Sequence, residues 1–497
     1  MNRRPRVTRN TSAGILETAL ADRPPNILLI TTDQQRYDAL SINGNRVLRT
    51  ANLDALAAGG TNFTRCYSAC PVCIPARRTL ISGLHPQTHG MTGYREAQEF
   101  NPPFTLAGCL RQAGYQTQLI GKLHLHPQRK RFGFDHMILS DSANYRPTSQ
   151  FQRHNDYTDW LIRQGHFHHS NSHGISSNGR LGRAWTLPEE LHHSSWVAEM
   201  AARFFETSRD PTTPWFLHLS FVAPHPPLIP PQAYWERYAF RDDIKACLAD
   251  WAPRTEPVRG LSPDSPVGPF DPDEIRIAIA AYYGLIHHLD DRIAYVLEQF
   301  FEYGNPRSQE PTYIIFSSDH GEMLGDHHLF RKSLPYEASC RVPLFITGRN
   351  VDLPRGQTSD ALVGWEDLMP TLLDLAGTPI PPGLDGQSLV PILQGKSESV
   401  RDFVHGVCLD RVPYRYFITD RYKYIWFIQT QEEQLFDILD DPNDCHDLSE
   451  NLELLLPMRQ KMQALTRKLD IDYDPERLNP CKNQTPRALG YPSMIKK

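Results

Sequence analysis

Long apolar runs are missing from this chain: no window approaches the about 18 consecutive apolar residues of a membrane span, so no bilayer crossing is expected. A basic excess is missing too, since 52 Lys and Arg face 57 Asp and Glu for a net charge of −5 over 497 residues. With no long basic run, nucleic acid and anionic membrane surfaces are not expected partners. Cysteine is sparse and odd in number, nine in all, which argues for reduced thiols rather than a disulfide framework. The 41 Pro and 30 Gly fall well below the share of about 25–30% that marks low-complexity chains, which excludes disorder and collagen-like repeats. Residues 1–25 begin with arginines but never develop the apolar stretch of about 7–15 residues that a secretory signal needs, and Arg3-Arg4 lacks the apolar core of a twin-arginine signal. The expected location is cytoplasmic, with a flexible tail over residues 1–24. What remains is a globular chain long enough for a large core, with a small-molecule or carbohydrate-like substrate expected.

The hydrophobic pattern defines an α/β fold. Asn26–Thr32 is a continuous apolar and β-branched run, as in a strand buried on both faces of a parallel sheet, and Thr117–Ile120, Trp215–Val222 and Thr312–Ser318 repeat the pattern. Helical periodicity lies between them at Asn52–Ala58 and Asp273–Phe301. Chemistry-capable residues follow each strand: Asp33-Gln34, then Lys122 and His124, then His225, then Asp319-His320. Ligands of open α/β sheets bind beyond the carboxyl ends of the strands, so these four clusters are expected to converge. Alone, an Asp after a strand reads as a turn residue and a lone His as a satisfied structural one. Their recurrence after four strands reverses that reading. Residues 140–195 and 224–272 read as irregular surface loops. From about residue 401 the texture changes to antiparallel strands at Tyr416–Thr419 and Tyr422–Ile428, an acidic turn at Asp440–Asp444 and a helix over Leu452–Leu469. The division expected is a catalytic α/β domain over 25–400 and a small α+β C-terminal subdomain over 401–497.

Cys73-Ile-Pro-Ala-Arg77 opens a helical stretch and forms a C-x-P-x-R pattern, for which composition predicts only about 0.07 chance matches. Its bland reading is a buried thiol before a helix-starting Pro. Together with Asp33, Gly121-Lys-Leu-His124, Pro224-His-Pro-Pro227, Asp319-His-Gly321 and Arg331-Lys332, the chain resembles the formylglycine-dependent sulfatases of the alkaline phosphatase superfamily. It is also similar to the phosphonate monoester hydrolases. The resemblance implies a large mixed, mostly parallel sheet sandwiched by helices, with a small antiparallel sheet closing the chain around Tyr422-Lys-Tyr-Ile425 and Gln434-Leu-Phe-Asp437.

It further implies that a maturation enzyme oxidises Cys73 to formylglycine, whose hydrated aldehyde is the nucleophile that cleaves a sulfate monoester. Asp33, Gln34, Cys73, Asp319 and His320 are the implied metal set. Hard oxygen donors favour Ca²⁺, with Mg²⁺ or Mn²⁺ as alternatives, because Gln34 stands where many relatives carry Asp. Arg77, Lys122 and Lys332 are implied to surround the anion, His225 to protonate the leaving group and His124 to assist breakdown of the intermediate. The alternative is a phosphonate monoester or phosphodiester hydrolase using the same nucleophile, since these esters share one negative charge on a tetrahedral centre. Lys122 and His124 favour the sulfatase, because the phosphonate hydrolases compared carry Tyr and Thr there. A catalytically inert binding protein is a third reading, opposed by the complete residue set. Cys66, Cys70 and Cys73 also match a radical-type iron–sulfur spacing, which would leave the strand-end clusters without a role. His166-Phe-His-His169 with His173 reads as a solvated loop, and His327-His328 as bordering the site without entering it. The leaving group is open, and a homo-oligomer is compatible with the sequence.

Overall fold

A computed structural model of the chain describes residues 23–142, 155–166, 174–304 and 310–469. The expected tail over 1–24 lies almost wholly outside the described residues, as do His168, His169 and His173. Nine strands form the main sheet: β1 (Asn26–Asp33), β2 (Gly60–Tyr67), β3 (Gln116–Gly121), β4 (His136–Leu139), β5 (Trp215–Pro224), β6 (Thr312–Ser318), β7 (Arg341–Arg349), β8 (Gln357–Ser359) and β9 (Val363–Gly364). Their order is β4-β3-β5-β1-β6-β7-β2-β8, with β9 also on β2. Only β7 runs antiparallel to its neighbours, pairing so with both β6 and β2. The four strands with polar clusters at their ends, β3, β5, β1 and β6, lie side by side and parallel.

Alternation along these strands feeds two cores, because successive side chains point to opposite faces. Ile27, Leu29, Leu119 and Ile315 join one face with α2 (Cys73–Ser82) and α5 (Leu368–Leu375). Leu28, Ile30, Ile120 and Ile314 join the other, covered by α3 (His193–Arg203) and α4 (Pro272–Gln299). The remaining labelled helices are α1 (Ala51–Ala58), on the same side as α4, and α6 (Leu452–Leu469). A second sheet of four antiparallel strands, β10 (Val404–Cys408), β11 (Tyr414–Ile418), β12 (Tyr422–Phe427) and β13 (Glu433–Asp437), forms a meander near the chain's end. One of its faces packs under α6 through Phe417, Tyr424, Leu435, Met458 and Met462. The other, with Tyr416, Ile418 and Ile425, packs against Tyr67, Cys70 and Val72, directly before α2.

Two features depart from the sequence expectations. The stretches read as irregular contain helices, Asp156–Arg163 within 140–195 and Gln232–Ala239 within 224–272. Asn155 caps the first by accepting from Thr158 N–H, a local signal that outweighs the polar composition, and the second starts directly after Pro231 with no side-chain cap. Strands β2 and β7 were also unforeseen. The first carries Thr61, Asn62 and Arg65, and the second contains Pro343, which argues against a central strand.

Candidate active site

Cys73 is the first residue of α2, with Val72 as its extended N-cap. A helix N-terminus favours negative charge and thiolate character. The thiol is buried, and its Sγ lies 3.2 Å from His320 Nε2 and 3.7 Å from Asp33 Oδ1. Burial pushes this thiol up, but Lys122, Lys332 and His320 outweigh it and hold the group well below its ordinary range. Arg77, one turn further along α2 and 2% exposed, directs its whole guanidinium inward. Its Nε donates to Asp319 Oδ2 at 3.0 Å, Nη1 to Lys122 O and Ser220 Oγ at 2.9 Å each, and Nη2 to Asp33 Oδ2 at 3.4 Å. It ties the ends of β1, β3, β5 and β6 together.

The end of β3 shows why the chain needs glycine there. Gly121 has φ of 106°, and a Cβ on it would lie 1.9 Å from Ser220 O on β5. The close approach lets Lys122 N–H donate to Ser220 O at 2.9 Å and turns Lys122 Nζ onto Asp33 Oδ2. His124 follows with φ of 56°, an unfavourable conformation for a non-glycine residue. Asp141, just beyond β4, holds that turn by accepting from Leu123 N–H at 3.0 Å and His124 N–H at 2.7 Å. His225 follows β5. Its Nδ1–H donates to Pro226 O at 2.8 Å, leaving Nε2 for the cavity. Burial and Lys332 hold its pKa below the ordinary histidine value.

Asp33 and Asp319 are fully buried side by side and do not titrate alike. Burial and the Cys73 thiol push Asp33 up, yet Lys122, His225 and Arg77 prevail and hold it well below the usual carboxylate range. Asp319 is raised, by burial and by Asp33. Next to them, His320 donates Nδ1–H to Gly321 O at 3.0 Å, so Nε2 faces Cys73 and both aspartates. One donor atom from each of Asp33, Cys73, Asp319 and His320 falls within 4.8 Å of the others. The two buried carboxylates of this group fit a hard divalent cation. Gln34, with φ of 71°, donates its backbone N–H to Asp319 Oδ1 at 3.1 Å. Its amide is oriented by Glu322, which accepts from Nε2, and by Lys332 Nζ, which donates to Oε1 at 2.6 Å.

All ten residues singled out from sequence therefore gather around one point. Cys66 and Cys70 do not join the ligand group, and Cys70 contacts Cys408 instead. His327 is buried against Trp251 and Tyr336, outside the cavity wall. The site opens into a cavity of about 600 Å³ lined by Cys73, Lys122, His124, His225 and Lys332 together with Tyr94, Val267, Phe330, Arg331, Arg411 and Val412. Sequence reasoning missed Asp141, Ser220 and Glu322. Asp141 and Glu322 carried the signal used elsewhere, an acidic residue just past a strand, but β4 itself was not foreseen and Glu322 was overshadowed by Asp319-His320.

Known proteins resemble this chain over most of its length. A sulfatase family model matches residues 25–378, and a model of the C-terminal part of N-sulphoglucosamine sulphohydrolase matches 325–471. The chain belongs to the sulfatase family. By class this sulfatase is a sulfuric ester hydrolase. It is 37% identical to an arylsulfatase of Clostridium perfringens over 85% of this chain and 90% of that protein. Two solved structures share the sulfatase's fold. The phosphonate monoester hydrolase of Agrobacterium radiobacter has a TM-score of 0.72 at 24% identity over 90% of this chain and 96% of its own. BT4656, bound to its substrate D-glucosamine-2-N,6-O-disulfate, has a TM-score of 0.68 at 20% identity over 93% and 100%.

Proposed function

We propose that this sulfatase hydrolyses sulfate monoesters with Cys73, matured to formylglycine, as its nucleophilic position. The observation that carries this reading is the seat of Cys73: a helix N-terminus aimed at two aspartates, a histidine and two lysines at the carboxyl edge of the parallel strands. When present, the formylglycine would supply a gem-diol oxygen for attack on sulfur, and a divalent cation on Asp33, Gln34, Asp319 and His320, Ca²⁺ in our reading, would offset charge on the nucleophile and sulfate. The chain's own residues then divide the work. Arg77 holds Asp33 and Asp319 in place, and Lys122 and Lys332 meet the sulfate oxygens with preorganised charge. His225, with Nδ1–H committed to a backbone carbonyl, gives a proton from Nε2 to the departing oxygen. His124, at the carboxyl end of the neighbouring parallel strand β3, assists breakdown of the covalent intermediate. A maturation enzyme is the required partner, and the substrate is a small-molecule or carbohydrate sulfate ester.

The test is kcat/KM for an aryl sulfate against an aryl phosphonate monoester, using protein co-expressed with a maturation enzyme and Cys73→Ala as blank. We expect a sulfate preference of more than about tenfold, or about 1.4 kcal/mol of differential transition-state binding. A reversed ratio would assign the site to phosphorus esters. Turnover surviving in Cys73→Ala would remove the nucleophile.

A further inference from the structure

Far from Cys73 along the chain, Cys247 and Cys445 bring their sulfurs to 2.9 Å across 198 residues of sequence. Cys247 lies between the helix Gln232–Ala239 and α4, and Cys445 follows the acidic turn Asp440–Asp444. Both are partly exposed, whereas Cys66, Cys70, Cys340 and Cys408 are buried. The backbone on each side is held. Cys247 N–H donates to Asp326 Oδ1 at 2.7 Å and its carbonyl accepts from His327 N–H at 2.8 Å. Cys445 O accepts from Asp250 N–H at 3.0 Å, and Asp444 O from Trp251 Nε1–H at 2.8 Å. The two thiols meet because two anchored segments meet.

We propose that Cys247 and Cys445 are a modification site, an oxidisable pair that closes to a disulfide linking segment 244–252 to the C-terminal sheet's turn at 440–446. With a glutathione-type disulfide as oxidant, the Cys247 thiolate attacks one oxidant sulfur and expels a glutathione thiolate. The Cys445 thiolate then attacks the Cys247 sulfur and expels the second. Two protein thiols are oxidised, one disulfide is reduced, and both protons leave with the glutathione thiols. Cys247 is the first nucleophile because Cys445 stabilises its anion: burial raises the Cys247 thiol and the hydrogen bond from Cys445 opposes that rise. In a reducing compartment the pair is a dithiol, and in an oxidising one a cross-link.

The cross-link would brace a wall of the cavity. Asp326, held by Cys247 N–H, also pairs with Arg36 Nη1 at 2.7 Å, and the segment that follows it supplies Phe330, Arg331 and Lys332 to the cavity. The inference does not depend on which ester is cleaved. Full-length protein is incubated with oxidised glutathione, alkylated, digested and mapped by mass spectrometry. We expect one linked peptide pair containing Cys247 and Cys445, about 2 Da lighter than the sum of the two thiol peptides and lost on reduction. Reduction should also lower Tm by several degrees, a drop that Cys247→Ser/Cys445→Ser does not show. Separate glutathione adducts on the two cysteines, or two alkylated thiols after oxidation, would overturn the pair. A linked peptide with no Tm difference would overturn the bracing.

Discussion

Among the described residues, one cluster of buried charge stands at the edge of the parallel sheet and another where the small sheet joins it. At the joint, Lys423 Nζ donates to Glu337 Oε1 at 3.0 Å and Asp444 Oδ2 at 2.8 Å, and Asp444 Oδ2 also accepts from Glu337 N–H at 2.7 Å. Glu337 Oε2 also accepts from Tyr67 Oη at 3.2 Å and pairs with Arg341 Nη1 at 3.5 Å, so the charges here meet protein partners, and the lysine is 0% exposed and lines no part of the cavity. At the sheet edge, Asp33, Asp319, Cys73 and His320 point donor atoms at a common centre beside the cavity, and the two carboxylates differ in sign of shift. Burial of charge therefore does not by itself mark a catalytic site. What distinguishes the two is whether the charges satisfy one another or face a centre that another group must complete.

Lys423→Met tests the closed cluster most severely. It removes the lysine from buried Asp444 and leaves Glu337 with Arg341 as its cation, for which a loss of about 3–5 kcal/mol is expected. Chemical denaturation should register that loss, while kcat of the folded fraction stays within about twofold. Asp319→Asn tests the open cluster and should do the reverse. Turnover should fall about 100-fold, and divalent-cation affinity measured by calorimetry should weaken at least about tenfold. Tm should hold or rise, since the substitution removes a carboxylate that burial and Asp33 already disfavour. A stable Lys423→Met protein, or an unfolded Asp319→Asn one, would erase the distinction.

Acid offers a milder test, through buried histidines outside both clusters. Burial holds His89, His193 and His218 at about 3, and His192, His288 and His405 well below their ordinary value. A depressed folded pKa means that the neutral form is favoured on folding. Its stabilisation is present above about pH 6.5 and is lost as pH falls toward 3, at about 2 kcal/mol for each of the first three between pH 7 and 5. Thermal melts should show Tm dropping steadily over that window. A flat profile would mean that these histidines carry their protons inside the fold.

Much of the site was legible because its parts are local. Asp33, Lys122, His225 and Asp319 each sit at the end of a strand whose unbroken apolar run announces itself, and Cys73 lies in a short motif. The helix Leu452–Leu469 was equally plain, with matching bounds. Less legible were elements whose identity depends on distant neighbours. β2 carries Arg65, whose Nη2 donates to Thr419 O at 2.6 Å, a partner from the small sheet that no local pattern announces. Pro343 sits in β7, where its carbonyl accepts from Ser317 Oγ at 2.8 Å.

Sequence alone determined which residue types follow which strands, and so the chemistry on offer: hard oxygen donors, cations and a cysteine ahead of a helix. Hydrophobic alternation and glycine requirements act over a few residues and need no knowledge of the rest of the chain. Tertiary structure decided that the ends of β3, β5, β1 and β6 lie side by side, and that the β2 and β7 pairing carries Cys73 to the same point. It also decided that Cys247 meets Cys445 across 198 residues. Strand order and loop packing are pairings between distant segments, set by the burial of both sheet faces together rather than by any local run.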